Sequence, residues 1–188
     1  MIVAGLDLAK RSDHSALVII DAGQMLTVTH ALRLPHLPYR EQIETLAPAL
    51  RTVDRLAYDG TGVGDAVGEM LPDINAVGVV TTGSSPNPRT CDNGRIMISK
   101  QALVGGITAE MVSSRLVVAL DAPGKADLAS EMAAFVSIPG TRRMEADRGH
   151  RDDLVLALGL AVLAAFSSQR SLDGTNVPPQ VKKLVYAT

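Results

Sequence analysis

Three acidic positions in this chain stand where chemistry could be done. Asp7 closes the apolar run Ile2-Val3-Ala4-Gly5-Leu6, Asp59 closes Arg55-Leu56-Ala57-Tyr58, and the pair Asp152-Asp153 directly precedes an apolar stretch beginning at Leu154. Strands buried on both faces read as continuous hydrophobic runs, so a carboxylate closing one sits at a rim where the sheet opens to solvent or a ligand. The Asp152-Asp153 pair has a plainer explanation, because acids in the first turn of a helix are favoured by the helix dipole. Leu154 to Leu163, however, is hydrophobic nearly all round, so this helix is buried and its N-terminus must emerge at one defined place. Adjacent helical residues point about 100° apart, so one of Asp152 and Asp153 should face a given point, and the sequence leaves open which.

Carboxylates converging from separate elements repel one another unless cations neutralise them. Hard oxygen donors without Cys or a His cluster select Mg²⁺ or Mn²⁺ over Zn²⁺. Two such ions about 4 Å apart can activate a water and stabilise the leaving oxygen in phosphodiester cleavage. The chemistry that these acids would do best, if they converge, is that of a nuclease.

Convergence depends on the elements that carry them. A polar turn after Asp7 leads to a second β-rich run, Ser15 to Ile20, and the turn Asp21-Ala22-Gly23 to a third, Gln24 to His30, so three antiparallel strands open the fold. Leu34-Pro35-His36-Leu37-Pro38 breaks the pattern, and Tyr39, Ile43, Leu46, Ala47 and Leu50 recur at helical spacing. After the strand ending at Asp59 come a turn through Gly60, Gly62 and Gly64, a helix over Asp65 to Leu71 and a strand over Ala76 to Thr81. Ser99 can cap a helix on which Leu103, Ile107 and Met111 share a face. A last strand over Leu116 to Leu120, a helix through Leu128, Met132 and Phe135, a polar basic segment from Pro139 to Arg151 and the apolar helix complete the order. The pattern predicts one α/β domain over residues 1–168, a mixed five-stranded sheet of three antiparallel and then parallel strands flanked by helices, followed by a loose tail over 169–188. Right-handed crossovers would set the strand of Asp59 beside that of Asp7.

A hydrophobic fraction of 46% over 188 residues is enough for a sizeable core. The formal charge of -2 excludes a general attraction to nucleic acid or anionic membrane, so binding to DNA must rest on a local basic surface. Arg89, Arg95, Arg142, Arg143, Arg148 and Arg151 could supply it, with Glu145 and Asp147 diluting the densest part. With three Tyr, two Phe and no Trp, base stacking is a poor source of affinity, and contact should run through the phosphate backbone. The lone Cys91 has no internal disulfide partner, and the N-terminus lacks the pattern of a signal peptide. The apolar stretch Leu154 to Phe166 falls short of the roughly 20 residues a spanning helix needs, so a cytoplasmic protein is expected. Lys100 reads first as a solvated helix residue and second as a phosphate contact. His14, His30 and His36 read as surface or packing residues, and the three glycines as a tight turn.

The motifs together resemble the nuclease domain of phage terminase large subunits, the DNA-packaging motors of tailed phages. Gly5-Leu6-Asp7-Leu8-Ala9 with Asp13-His14-Ser15-Ala16 resembles the first nuclease motif of that family, Tyr58-Asp59-Gly60-Thr61-Gly62-Val63-Gly64 the second, and His150-Arg151-Asp152-Asp153-Leu154-Val155-Leu156-Ala157-Leu158 the third. Ser99-Lys100-Gln101-Ala102-Leu103-Val104 is similar to a lysine-containing stretch between the second and third. The resemblance covers most of the chain from Ile2 to about Ala165, and the order and spacing of its motifs are more specific than any one of them. It implies a ribonuclease H-like fold related to Holliday-junction resolvases. It also implies a Mg²⁺- or Mn²⁺-dependent endonuclease that cuts concatemeric viral DNA. Asp7, Asp59 and one or both of Asp152 and Asp153 would bind two ions, with Asp13 and His150 nearby. The implied partners are double-stranded DNA, a terminase ATPase domain or subunit, the small terminase subunit and the portal. No Gly-x-x-x-x-Gly-Lys-[Ser/Thr] loop is present, so a motor function is not assigned to this sequence. A catalytically silent docking module of the packaging machinery and a fragment of an actin-like phosphotransferase are the competing readings. The second wants small Gly, Ser and Thr residues where Leu8-Ala9-Lys10-Arg11 stand.

Overall fold

A computed structural model describes residues 1–9, 14–61, 64–83, 88–137, 144–146 and 151–167. In chain order the elements are β1 (Ile2–Asp7), β2 (Ala16–Ala22), β3 (Leu26–Arg33), α1 (Tyr39–Leu50), β4 (Arg55–Asp59), α2 (Gly64–Met70), β5 (Ala76–Thr82), β6 (Arg89–Thr90), β7 (Ile96–Ser99), α3 (Lys100–Val112), β8 (Leu116–Val118), α4 (Lys125–Ala134), β9 (Phe135–Ser137), β10 (Met144–Ala146) and α5 (Asp153–Phe166). Strands β1 to β8 form one mixed sheet in the order β6-β7-β5-β4-β1-β2-β3-β8. Its middle, β5-β4-β1-β2-β3, is made of the first five runs read as strands, and the sixth, from Leu116, adds β8 beside β3. β1 pairs antiparallel with β2 and parallel with β4, and β4, β5 and β7 continue in parallel.

The sheet is wider than the five strands expected: two short strands without a sequence signal extend it beyond β5, and the Leu116 run extends it beyond β3. Ile96-Met97-Ile98-Ser99 forms β7, and Arg89-Thr90 pairs antiparallel with it. The run from Leu116 is a strand only to Val118, pairing in parallel with β3 at the far edge, and Val117, Val118 and Leu120 stay exposed there. Nor is it the last strand: α4 stops at Ala134, so Phe135 leaves the helical face on which it was expected and enters β9, which pairs antiparallel with β10. Strands of two to four residues are too short for a period-2 signal to stand out from a neighbouring helix pattern.

Alternation along the strands separates two apolar layers. Ala4, Leu6 and Leu8, with Leu56 and Tyr58, face the layer of α1 and α2, where Ile43, Leu46, Leu50 and Val67 are buried. Val3, Ala57 and Val79 face the other layer, formed by α3, α4 and α5. On this side α5 is buried from Asp153 to Ala164, except for Leu156 at intermediate exposure. Each fully buried Leu such as Leu154, Leu158 or Leu160 contributes about 1.5–3 kcal/mol by removal from water. No helix among the described residues is long and apolar enough to cross a membrane.

Candidate active site

The parallel strands β1, β4, β5 and β7 end on one edge of the sheet, and their last residues make the floor of the site. Leu6 pairs with Tyr58, so Asp7 and Asp59 each stand one residue further on adjacent strands, about 5 Å apart along the sheet. Asp7 shares the face of Val3, and Asp59 that of Ala57, so both side chains emerge toward the α5 layer. The chain beyond each acid is fastened locally. Ser15 Oγ accepts from Ala9 N at 2.9 Å, and the buried Gln42 donates to the carbonyls of Ala9 and Leu37. Thr61 N donates to Asp59 Oδ1 at 2.9 Å, while Thr61 Oγ1 accepts from Thr81 N at 3.1 Å and lies 3.1 Å from Thr81 Oγ1.

Helix α5 brings the remaining acids. Its approach to β1 is closest at Gly5, where an added Cβ would run into the Ala157 carbonyl oxygen and the Ala161 amide nitrogen. Stepping back four residues from Ala157 along the helix covers about 6 Å. Stepping forward two residues from Gly5 along the strand covers about 6.6 Å. Asp153 is thereby carried over Asp7. Asp153 is buried at 4% exposure, whereas Asp152 is partly exposed and paired with the Lys100 ammonium. Lys100 follows Ser99, whose Oγ caps α3 by accepting from Ala102 N at 3.1 Å. The pairing of Thr82 with Ser99 brings that cap to the same sheet edge.

The electrostatics record this convergence. Asp7 lies at a partly exposed rim, yet protein atoms surround it densely, and desolvation is the main force raising its carboxyl well above the usual range. The charges of Asp59, Asp153 and Asp152 follow in that order, and the Lys100 ammonium opposes them. The charges of both Asp152 and Asp153 are felt at Asp7. The 100° offset holds between helical residues, and Asp152, at φ -134° and ψ 9°, is the non-helical N-cap. Burial first, and then the charge of Asp59, also raise the Tyr39 phenol.

In donor chemistry and in charge these residues suit a hard divalent cation: three carboxylates and one ammonium surround the desolvated Asp7. Among the described residues, no group of three or more His, Cys, Asp or Glu side chains is placed so that it could hold a metal ion as it stands.

Lys100 is not the solvated residue it first resembles, since its Nζ lies against Asp152 Oδ2. Arg151 is exposed beside Asp152. Arg89 is exposed on β6, three strand spacings or about 14 Å from β4, and Arg95 precedes β7. Arg89 and Arg95 do not form one cluster with the acids. Asp13, His150, Arg142, Arg143, Arg148 and the tail lie outside the described residues. His14 and His36 meet with ring centroids 4.3 Å apart, a pairing with no signal in the sequence. Thr61, Thr81, Ser15 and Gln42 also escape sequence reading, because a hydroxyl or amide acquires its role here from a partner six to 33 residues away.

No family model and no curated protein matches this chain. Solved structures do. The large terminase nuclease from thermophilic phage G20c with bound magnesium superposes with a TM-score of 0.66 at 20% identity, over 87% of this chain and 80% of that one. The large terminase nuclease domain of Thermus phage P74-26 gives 0.66 at 18% identity, over 94% and 84%. A mutant nuclease domain of the large terminase subunit of bacterial virus Sf6, with manganese and beta-thujaplicinol, gives 0.62 at 12% identity, over 89% and 88%. The likeness is one of fold: this chain has the ribonuclease H-like architecture of the large terminase nuclease domains.

Proposed function

We propose, from the fold shared with large terminase nuclease domains, that this chain is a divalent-metal-dependent DNA endonuclease that cuts concatemeric viral DNA for packaging. The observation that carries the reading is the desolvated Asp7 carboxyl with Asp59, Asp153 and Asp152 pressing on it from β4 and α5. Such a cluster is costly in an empty protein and becomes favourable when cations enter. Asp7, Asp59, Asp152 and Asp153 would hold two Mg²⁺ or Mn²⁺ ions, which supply an activated water and charge neutralisation at the leaving oxygen. The chain's own contribution is placement. Strand pairing sets Asp7 beside Asp59, the Thr61 amide holds one oxygen of Asp59, and Lys100 offsets part of the negative charge. The solved relatives with magnesium and manganese support the choice of ion.

The proposed partners are double-stranded DNA, held through its phosphates by exposed arginines such as Arg89 and Arg151, and the ATPase, small subunit and portal of a packaging machine in the host cytoplasm. The purified chain should nick or linearise plasmid with Mn²⁺ or Mg²⁺, and EDTA should stop it. Asp59→Ala should lower the rate by at least about a hundredfold, beyond what loss of an outer-shell group costs, with an unchanged circular dichroism spectrum. A folded Asp59→Ala protein that still cuts would remove this assignment.

A further inference from the structure

Glu131, in α4, is buried at 5% exposure and is not among the carboxylates acting on Asp7. A buried carboxylate is costly unless paired and hydrogen-bonded, and this one has taken partners on both oxygens. Oε2 accepts from Leu154 N at 2.8 Å and from Val155 N at 3.3 Å, and Oε1 accepts from Arg33 Nη2 of β3. The same guanidinium reaches Asp127 Oδ2 at 3.9 Å. Leu154 and Val155 are the second and third residues of α5, whose first-turn amides have no acceptor within the helix. The N-cap side chain ordinarily accepts from them. Asp152 occupies that position and makes no capping bond, its carboxylate lying on Lys100 instead.

We infer that Glu131, braced by Arg33, is a positioning residue of the active site: it caps α5 from a neighbouring helix and so leaves Asp152 and Asp153 available to face Asp7. An Asp152 carboxylate turned onto those amides would be drawn away from the rim. The capping follows from the geometry alone; its consequence for ions rests on the nuclease reading.

The test compares wild type, Glu131→Gln, Glu110→Gln and the double variant Arg33→Leu/Glu131→Leu. Thermal melting, amide exchange at Leu154 and Val155, and Mn²⁺ affinity by calorimetry are read for each. Replacing a buried ion pair by apolar residues of similar volume is often neutral for stability, so the double variant should fold, melting a few degrees below wild type because the cap is lost. Its Leu154 and Val155 amides should exchange faster, and its Mn²⁺ affinity should fall about tenfold, the scale set by loss of a supporting group. Glu131→Gln retains an oxygen acceptor and should keep most of the affinity. Glu110 is a similarly buried glutamate whose carboxylate pairs with Arg115 of its own neighbourhood, and Glu110→Gln should leave Mn²⁺ affinity unchanged.

A folded double variant that binds Mn²⁺ as wild type does overturns the positioning role. So does a wild-type protein in which the Leu154 and Val155 amides exchange freely. Should the double variant not fold, Glu131→Asp, one methylene short of the amides but still charged toward Arg33, carries the same comparison. Wild-type protein that binds no Mn²⁺ at all overturns the nuclease reading itself, a result distinct from bound Mn²⁺ that is indifferent to Glu131.

Discussion

Asp7 is ionised at neutral pH only against burial and three neighbouring carboxylates, and Lys100 repays a fraction of that cost. Because its folded-state pKa lies above the unfolded one, the native protein holds the Asp7 proton more tightly than the unfolded chain does. Its contribution to stability is therefore fully present below the ordinary carboxylate range and is lost as pH rises through the raised folded-state value. Asp7→Asn removes this liability. Metal-free Asp7→Asn should melt higher than wild type at pH 7, by about 2–4 °C for each kcal/mol relieved, and the gap should close in mild acid. An Asp7→Asn protein that melts lower than wild type at pH 7 would show that the acid is not under this pressure. The same substitution should abolish Mn²⁺-dependent cutting, as expected of a site whose activity depends on a locally unfavourable group.

Helix α5 and strand β1 form the junction on which the site depends. Their backbones touch at Gly5, where Ala157, Leu160 and Ala161 leave no room for a further carbon. Gly5→Ala should cost about 1–3 kcal/mol through overpacking, because the clash is with backbone that cannot swing aside. Urea denaturation would measure it, and a loss below about 0.5 kcal/mol, the scale of a surface substitution, would mean that the helix does not approach as closely as described. Arg55 Nη1 donates to the Ala164 carbonyl at 3.1 Å near the other end of α5, so the helix is tied to β4 as well as packed on β1. Its N-terminal amides are handed to Glu131, and the ordinary division of labour between an N-cap and its helix is thereby changed.

At the scale of the molecule, two helical layers close both faces of a sheet whose parallel strands end together, which leaves one edge for chemistry. A net charge of -2 gives this edge no general pull on DNA, so attraction must come from individual arginines. DNA affinity should fall steeply with salt, and Arg151→Ala should weaken binding uniformly across sequences and lower the log–log salt slope by about 1. A flat salt response in wild type would rule out a phosphate-backbone track. Asp7 and Asp59 were legible in the amino-acid order as acids closing apolar runs, and so was the buried helix behind Asp152-Asp153. These are local signals, set by side-chain period and by the partition of apolar residues from water. The different surroundings of Asp152 and Asp153 were not legible, because they turned on a non-helical N-cap and on which neighbour took the helix amides. Glu131 reads as an ordinary polar residue of an amphipathic helix, and Gly5 as one small residue in a strand, until α4 and α5 are packed. Period and polarity act between near neighbours along the chain, whereas the close approach of α5 to β1 and the capping of α5 by α4 join residues more than 20 positions apart and exist only once the layers have met.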